Sequence, residues 1–287
     1  MRNADCGLRN EFRKVLLSYT PHSEFRTPHS KWGLKMDLFD LTGKVALVTG
    51  STKGLGETAA KALAKAGADV AVCGRNPADL KRVSAEIQAT GRNSAGFELD
   101  VLSKEKVTKG IEKVLSHFGR IDILVNNAGT NYRVPVLEYP EEMWDLIINT
   151  NLKGYFLVAQ AVVPQMIERG YGKVINMSSI FGKVGLATQL AYASSKGGVE
   201  QMTKVMALEW AKLGVRVNAI GPTYFETDMV KQIRNDPARF NFINERTPMG
   251  RWGYLPELEG TVIFLAAPAS DFITGQVIYV DGGWTIW

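Results

Sequence analysis

Lys44-Val45-Ala46-Leu47-Val48-Thr49 runs directly into Gly50-Ser51-Thr52-Lys53-Gly54-Leu55-Gly56, and an alanine-rich stretch from Thr58 to Ala66 follows, closed by Gly67. The first run has the length and apolarity of a buried strand. The alanines favour a helix, and Gly67 is a helix stop. Strand, glycine-rich turn and helix in that order make a dinucleotide-binding candidate out of an otherwise weak glycine pattern. The free N–H groups and positive dipole end of the helix attract a pyrophosphate, and glycines let the backbone approach it. Gly50, Ser51, Thr52, Lys53, Gly54, Leu55 and Gly56 are therefore the expected phosphate cradle. Their spacing is G-x-x-x-G-x-G, not the commoner G-x-G-x-x-G.

Working outward, Asp69-Val70-Ala71-Val72-Cys73 reads as the second strand. A site built for NAD places Asp or Glu at the end of that strand to hold the ribose 2′-hydroxyl. Gly74-Arg75 stands there instead. Arg75 suits a 2′-phosphate, and Lys53 is placed to reach the same group. The missing acid and the two cations favour NADP over NAD. Residues 93–99 form a third strand that ends at Asp100-Val101, and Lys104 to Phe118 form a helix. Ile121 to Val125 form a fourth strand, followed by Asn126-Asn127-Ala128-Gly129. Repeated βα units with continuous apolar strands imply a single-domain α/β fold, a doubly wound parallel sheet of the Rossmann type. Ligands bind beyond the carboxyl ends of such strands. Asp100 and Asn127 therefore fall beside an adenine or ribose, with Val101 and Gly129 next to them.

Bulk composition narrows the function. At 287 residues with 45% hydrophobic and 22% charged residues, the chain has the makeup of a globular protein. No uninterrupted apolar run reaches the roughly 18 residues of a membrane helix, so no membrane role is expected. The net charge of +5 is uneven: residues 1–36 hold seven basic and three acidic side chains, the remainder 27 and 26. A near-neutral body carries no nucleic-acid footprint. Cys6 and Cys73 are too few for a disulfide framework, which favours a reducing compartment, the cytoplasm. Two of the three histidines, His22 and His29, precede residue 37, and only His117 follows, so no histidine-based dyad or metal site is expected. Residues 1–36 lack periodicity and the apolar core of a secretory signal. Met36-Asp37-Leu38-Phe39 reads as the start of the globular domain, which makes the leader an upstream-start or disordered segment.

The chemistry is expected in the second half. Tyr192-Ala193-Ser194-Ser195-Lys196 puts a phenol and an ammonium four residues apart, on one face of a helix. A neighbouring cation favours the phenolate, so the pair is a plausible general acid/base for an alcohol oxygen. Ser179 lies thirteen residues upstream, after the strand Lys173 to Met177. With no histidine to activate it, its hydroxyl reads as a hydrogen-bond donor that stabilises a developing oxyanion. Asn176 and Ser178 read as structural. Asn151 sits inside a long apolar helix spanning Glu141 to Val163, where a polar amide needs a partner.

Taken in order, Thr49-Gly-x-x-x-Gly-x-Gly, Asn126-Asn-Ala-Gly, Ser179 and Tyr192-x-x-x-Lys196 resemble the short-chain dehydrogenases/reductases, over about Leu38 to Trp287. The resemblance implies that Asn151, Ser179, Tyr192 and Lys196 are the catalytic set, with Asn151 holding a water in a proton relay from Lys196. Tyr192 and Lys196 would also touch the cofactor. Val215 to Ile220 form a sixth strand; the backbone at Phe225 and the Thr227 hydroxyl beyond it would lie near the carboxamide and phosphates. The family has Pro-Gly where this chain has Pro222-Thr223, so an altered backbone is expected there. Residues 224–250 read as a mobile lid, Val277 to Val280 as a seventh strand, and the family default is a homotetramer.

A sugar acid or polyol is the expected small-molecule substrate, gluconate/5-ketogluconate being the type. Arg133, just past the Asn-Asn-Ala-Gly turn, is placed to clamp a carboxylate. Thr247-Pro-Met-Gly-Arg-Trp-Gly253 and the Asp281-Gly-Gly-Trp ending resemble gluconate 5-dehydrogenases and their deoxy-gluconate relatives, and Tyr224 and Trp252 offer flat faces to a sugar. The alternatives are a 3-oxoacyl-carrier-protein reductase, docking its acidic carrier on Arg234, Arg239 and Arg246, and a catalytically silent NADP-sensing protein.

Overall fold

The computed structural model describes residues 37–227 and 230–287. The readings made for residues 1–36, Cys6 among them, lie outside the described residues. Seven strands form one parallel sheet in the order β3-β2-β1-β4-β5-β6-β7. They are β1 (Val45–Thr49), β2 (Asp69–Gly74), β3 (Ser94–Glu98), β4 (Ile123–Asn126), β5 (Gly172–Met177), β6 (Val215–Pro222) and β7 (Val277–Val280). The strand order reverses between β1 and β4, which both pair in parallel with their neighbours. This is the topological switch point at which open α/β sheets bind ligands.

Side chains alternate across the sheet. Ala46, Val48, Val70 and Val72 pack on one face, under α1 (Gly54–Lys65), α2 (Pro77–Gln88) and a later helix, Glu259–Ala266. Leu47, Ala71, Cys73 and Leu124 pack on the other, under α3 (Lys104–Phe118), α4 (Glu141–Glu168) and α5 (Leu190–Trp210). Leu47, Leu63, Leu124 and Ile123 are fully buried, each stabilising the fold by about 1.5–3 kcal/mol relative to exposure. Two short helices, α6 (Lys231–Arg234) and α7 (Pro237–Arg246), precede α8 (Glu259–Ala266).

Helix ends follow the local sequence. Asn76 caps α2 by accepting from the Ala78 N–H at 2.9 Å, with Pro77 in its first turn. Ser103 caps α3, which stops at Gly119 in the left-handed region, φ 76°. At the amino-terminal edge of the sheet, Asp122 is buried. It accepts from Arg120 Nε at 2.8 Å, Arg169 Nη1 at 2.7 Å and the Val45 N–H at 2.9 Å.

Two expectations change here. The helix starting at Glu141 runs to Glu168 and is not α throughout: residues Asn149–Lys153 form a π turn. By length and composition this helix is also apolar enough to cross a membrane, although polar residues interrupt its apolar run. Half of its most apolar window is buried inside the protein, where it packs in the second core cluster. The free thiol of Cys73 is fully buried on β2, which pushes its pKa up.

Candidate active site

A cavity of about 700 Å³ lies along the carboxyl ends of the strands. At one end sits the glycine turn. Gly50 and Gly54 both occupy the left-handed region, at φ 60° and 55°. A Cβ on Gly56 would stand 2.3 Å from the Gly50 carbonyl oxygen, and one on Gly50 would meet the Ala128 backbone at 2.9 Å. Only glycine lets the turn close this tightly. No side chain caps α1, so its first N–H groups remain available at the cavity.

Asn127 fixes the turn from below. Its Nδ2 donates to the Thr49 and Gly50 carbonyls at 3.0 and 3.1 Å. The Thr49 hydroxyl in turn accepts from the Asn127 and Ala128 N–H groups; sequence reading missed this role. Gly50, Thr52, Lys53, Gly54, Leu55, Gly56, Arg75, Asp100, Val101, Asn127, Gly129, Phe225 and Thr227 all line the cavity as expected. Ser51 does not. Its hydroxyl is buried, donates to the Val48 carbonyl at 2.7 Å and accepts from the Cys73 N–H at 2.9 Å, so it ties β1 to β2.

Lys53 and Arg75 are exposed at the cavity rim, and neither has an acidic partner among the described residues. Arg82, by contrast, is consumed: it pairs with Glu57 and Glu86 and donates to the Thr52 carbonyl at 2.8 Å. Two uncommitted cations beside an open helix end and a closed glycine turn fit a dinucleotide with a 2′-phosphate.

At the other end, β5 delivers Ser179 and α5 presents Tyr192 and Lys196 to the same cavity. The Lys196 ammonium is 5.6 Å from the centre of the Tyr192 ring. Its hydrogen bonds run to the Met177 carbonyl at 2.6 Å and, at 3.4 Å, to the hydroxyl of Tyr155. Tyr155 is fully buried on α4, and its pKa is raised well above the ordinary value by burial. It was missed in the sequence because its partner Lys196 lies 41 residues away. Burial lowers the Lys196 pKa to about 7. The Tyr192 phenol lies above its usual pKa because burial outweighs the Ser179 hydroxyl and the Arg133 charge. The expected lowering by Lys196 is thus corrected: an ammonium pulled toward neutrality exerts little field. Ser178 and Asn176 are structural, bonding Glu200 and Thr203 at 2.9 Å each.

Asn151 is fully buried within the π turn. Its Oδ1 accepts from the Thr130 N–H at 2.8 Å, and its Nδ2 donates to the Thr130 carbonyl at 2.9 Å and to Ser195 Oγ at 3.2 Å. The side chain is a satisfied amide that binds the Asn-Asn-Ala-Gly loop to α4 and α5.

Arg133 lines the cavity near Tyr192 and Tyr224. It is half-buried, its Nε has no hydrogen-bond partner, and it makes no salt bridge among the described residues. Burial works against its charge, as does Arg239 nearby. Tyr224 also lines the cavity, whereas Trp252 does not. It is buried in a third apolar cluster with Phe181, Tyr224 and Trp284, so the expected sugar-stacking face is lid core. Thr223 does not adopt positive φ, as expected where threonine stands in place of glycine; Thr188 is the positive-φ non-glycine residue among those described. Arg234, Arg239 and Arg246 engage Glu226, Asp236 and the Trp287 carbonyl respectively.

The family model described as enoyl-(acyl carrier protein) reductase matches residues 50–285. A 2-dehydro-3-deoxy-D-gluconate 5-dehydrogenase of Formosa agariphila is 43% identical over 252 residues, covering 87% of this chain and 96% of the relative. The chain belongs to the short-chain dehydrogenase/reductase family. Another relative in the family, the gluconate 5-dehydrogenase of Gluconobacter oxydans, is 40% identical over 250 residues, 87% of this chain and 98% of that one. The crystal structure of a gluconate 5-dehydrogenase from Burkholderia cenocepacia, in complex with NADP and tartrate, superposes with a TM-score of 0.86. It is 40% identical and covers 88% of this chain and 98% of that one.

Proposed function

We propose that this short-chain dehydrogenase/reductase interconverts a secondary alcohol and a ketone on a sugar acid, gluconate/5-ketogluconate being the type, with NADP as cofactor. The observation that carries the substrate class is Arg133. A half-buried guanidinium with an unsatisfied Nε and no acidic partner among the described residues, beside Tyr192, is a receptor for a carboxylate. The related gluconate and 2-dehydro-3-deoxy-D-gluconate 5-dehydrogenases support the same class, and the NADP in the Burkholderia structure agrees with Lys53 and Arg75.

In this reading NADP, when bound along the glycine turn, supplies the hydride acceptor or donor. Tyr192 takes the alcohol proton in oxidation and returns it in reduction. Ser179 donates to the substrate oxygen and stabilises its developing charge. Lys196 holds the proton route behind the phenol with Tyr155 and the Met177 carbonyl, and a water beside Asn151 carries the proton outward. Residues 224–250 act as the lid: Tyr224, Phe225, Thr227 and Val230 line the cavity, and Val230, Ile233 and Ile243 pack with Phe181, Trp252 and Trp284 in the third apolar cluster. Exposed Phe156, Val205 and Leu208 on α4 and α5 support assembly as a homotetramer, and the cytoplasm is the proposed location.

The test is a cofactor-reduction screen over sugar acids, polyols and 3-oxoacyl thioesters. Oxidation of gluconate with NADP and no reaction with acetoacetyl thioesters is the expected result. The reverse pattern would replace this reading with a 3-oxoacyl-carrier-protein reductase, and inertness toward all of them with a silent NADP sensor.

A further inference from the structure

We infer that Asn131, fixed by Gln189, reads a hydroxyl group of the substrate on the carbons between the carboxylate and the reacting centre. The inference rests on the sugar-acid reading and names what that site recognises beyond charge.

Asn131 lies two residues before Arg133 on the loop that follows β4, and both line the cavity. Asn131 Nδ2 donates to Gln189 Oε1 at 2.9 Å, while its Oδ1 is buried and has no partner among the described residues. Arg133 Nε is buried and partnerless as well. The loop therefore offers two uncommitted groups of opposite polarity: a cationic donor and a neutral acceptor. A buried acceptor left unmade carries a penalty until something donates to it. A polyhydroxy acid answers both, its carboxylate to Arg133 and a hydroxyl to Asn131. A carboxylic acid with a bare methylene chain answers only the first.

Gln189 is built to hold this amide. It is 2% exposed and stands at the start of α5, one helical turn before Tyr192. It follows Thr188, whose φ of 69° is a costly conformation for a β-branched residue. Such strain persists where surrounding contacts over-determine it, and it clusters at ligand sites. Gln189 thereby sets Asn131 relative to the phenol that does the chemistry. It is a positioning residue, acting through Asn131.

The experiment compares D-gluconate with 5,6-dihydroxyhexanoate, which keeps the carboxylate and the C5 and C6 hydroxyls and lacks the intervening hydroxyls. Each is measured as substrate and as competitive inhibitor, on the wild-type enzyme, Asn131→Ala, Gln189→Ala and the double variant. The expected result is that Asn131→Ala lowers the gluconate preference over 5,6-dihydroxyhexanoate about 10- to 100-fold, mainly through KM. Gln189→Ala follows in the same direction, and the double variant loses no more than Asn131→Ala alone. NADPH binding, read by its fluorescence, stays at the wild-type value and reports that the variants are folded. Equal losses on both acids, no loss on gluconate, or additive losses in the double variant would overturn the inference while wild-type gluconate turnover keeps the sugar-acid reading. A wild-type enzyme that turns over no sugar acid overturns both.

Discussion

The Lys196 ammonium donates to the Met177 carbonyl across 2.6 Å, so the helix that carries Tyr192 is tied to the end of the strand that delivers Ser179. The same burial that makes this contact specific holds Lys196 near pKa 7. Between pH 7 and the ordinary lysine range, the unfolded chain binds a proton that the folded chain does not. Stability therefore rises with pH across that window. Lys196→Met removes the effect, and its gain over the wild-type protein should be larger at about pH 6.5 than at about pH 9, by roughly 1–3 kcal/mol. Urea unfolding of both proteins at the two pH values measures it; a pH-independent difference would contradict the assignment.

Tyr192→Phe removes the hydroxyl that exchanges the proton and leaves the ring packed against Phe181. The expected loss in kcat is about 10²- to 10⁴-fold, with NADPH affinity little changed. Steady-state kinetics and a fluorescence titration on the same preparation separate the two.

Arg133→Met should raise KM for gluconate by about 10- to 100-fold, as expected for losing one charge-assisted contact. It should not lower the melting temperature, because this half-buried cation has no acidic partner to strand among the described residues. A structural arginine would behave in the opposite way, losing stability first.

Arg75→Ala tests the cofactor. Loss of a phosphate-facing guanidinium should weaken NADPH binding by about 10- to 100-fold and leave NADH binding nearly unchanged. Equilibrium titration with each nucleotide gives the ratio directly.

Far from the cavity, Asp122→Ala strands Arg120 and Arg169 and frees the Val45 N–H. Roughly 3 kcal/mol of stability should be lost, visible as a lower urea midpoint with an unchanged KM.

The fold was legible because its signals are local and repeated. Each strand is a short apolar run, and the boundaries of α3 and β7 follow directly from Ser103, Gly119 and the Val277–Val280 run. The cradle was legible because glycine is dictated by backbone approach. Ser51 escaped that logic: inside a glycine turn a serine can face the ligand or the sheet, and only the neighbouring strand decides. Tyr155, Asn131 and Gln189 were not legible because their roles depend on pairs more than 40 residues apart in sequence, such as Tyr155 with Lys196 and Asn131 with Gln189. Trp252 was misplaced for a related reason, since an aromatic residue in a lid reads alike whether it faces sugar or core.

The wide turn at Asn149–Lys153 has a consequence for spacing along α4. At about 100° per residue, eight α-helical steps from Ile147 to Tyr155 would leave them some 80° apart. One residue absorbed by the π turn cuts the effective separation to seven steps, about 20° out of line, and both side chains are fully buried. The helix thus carries a built-in phase offset. Deleting a single residue from the turn would restore ordinary winding and leave Tyr155 in phase with Lys196, since seven steps remain, whereas winding the full-length turn as α-helix would swing the hydroxyl away.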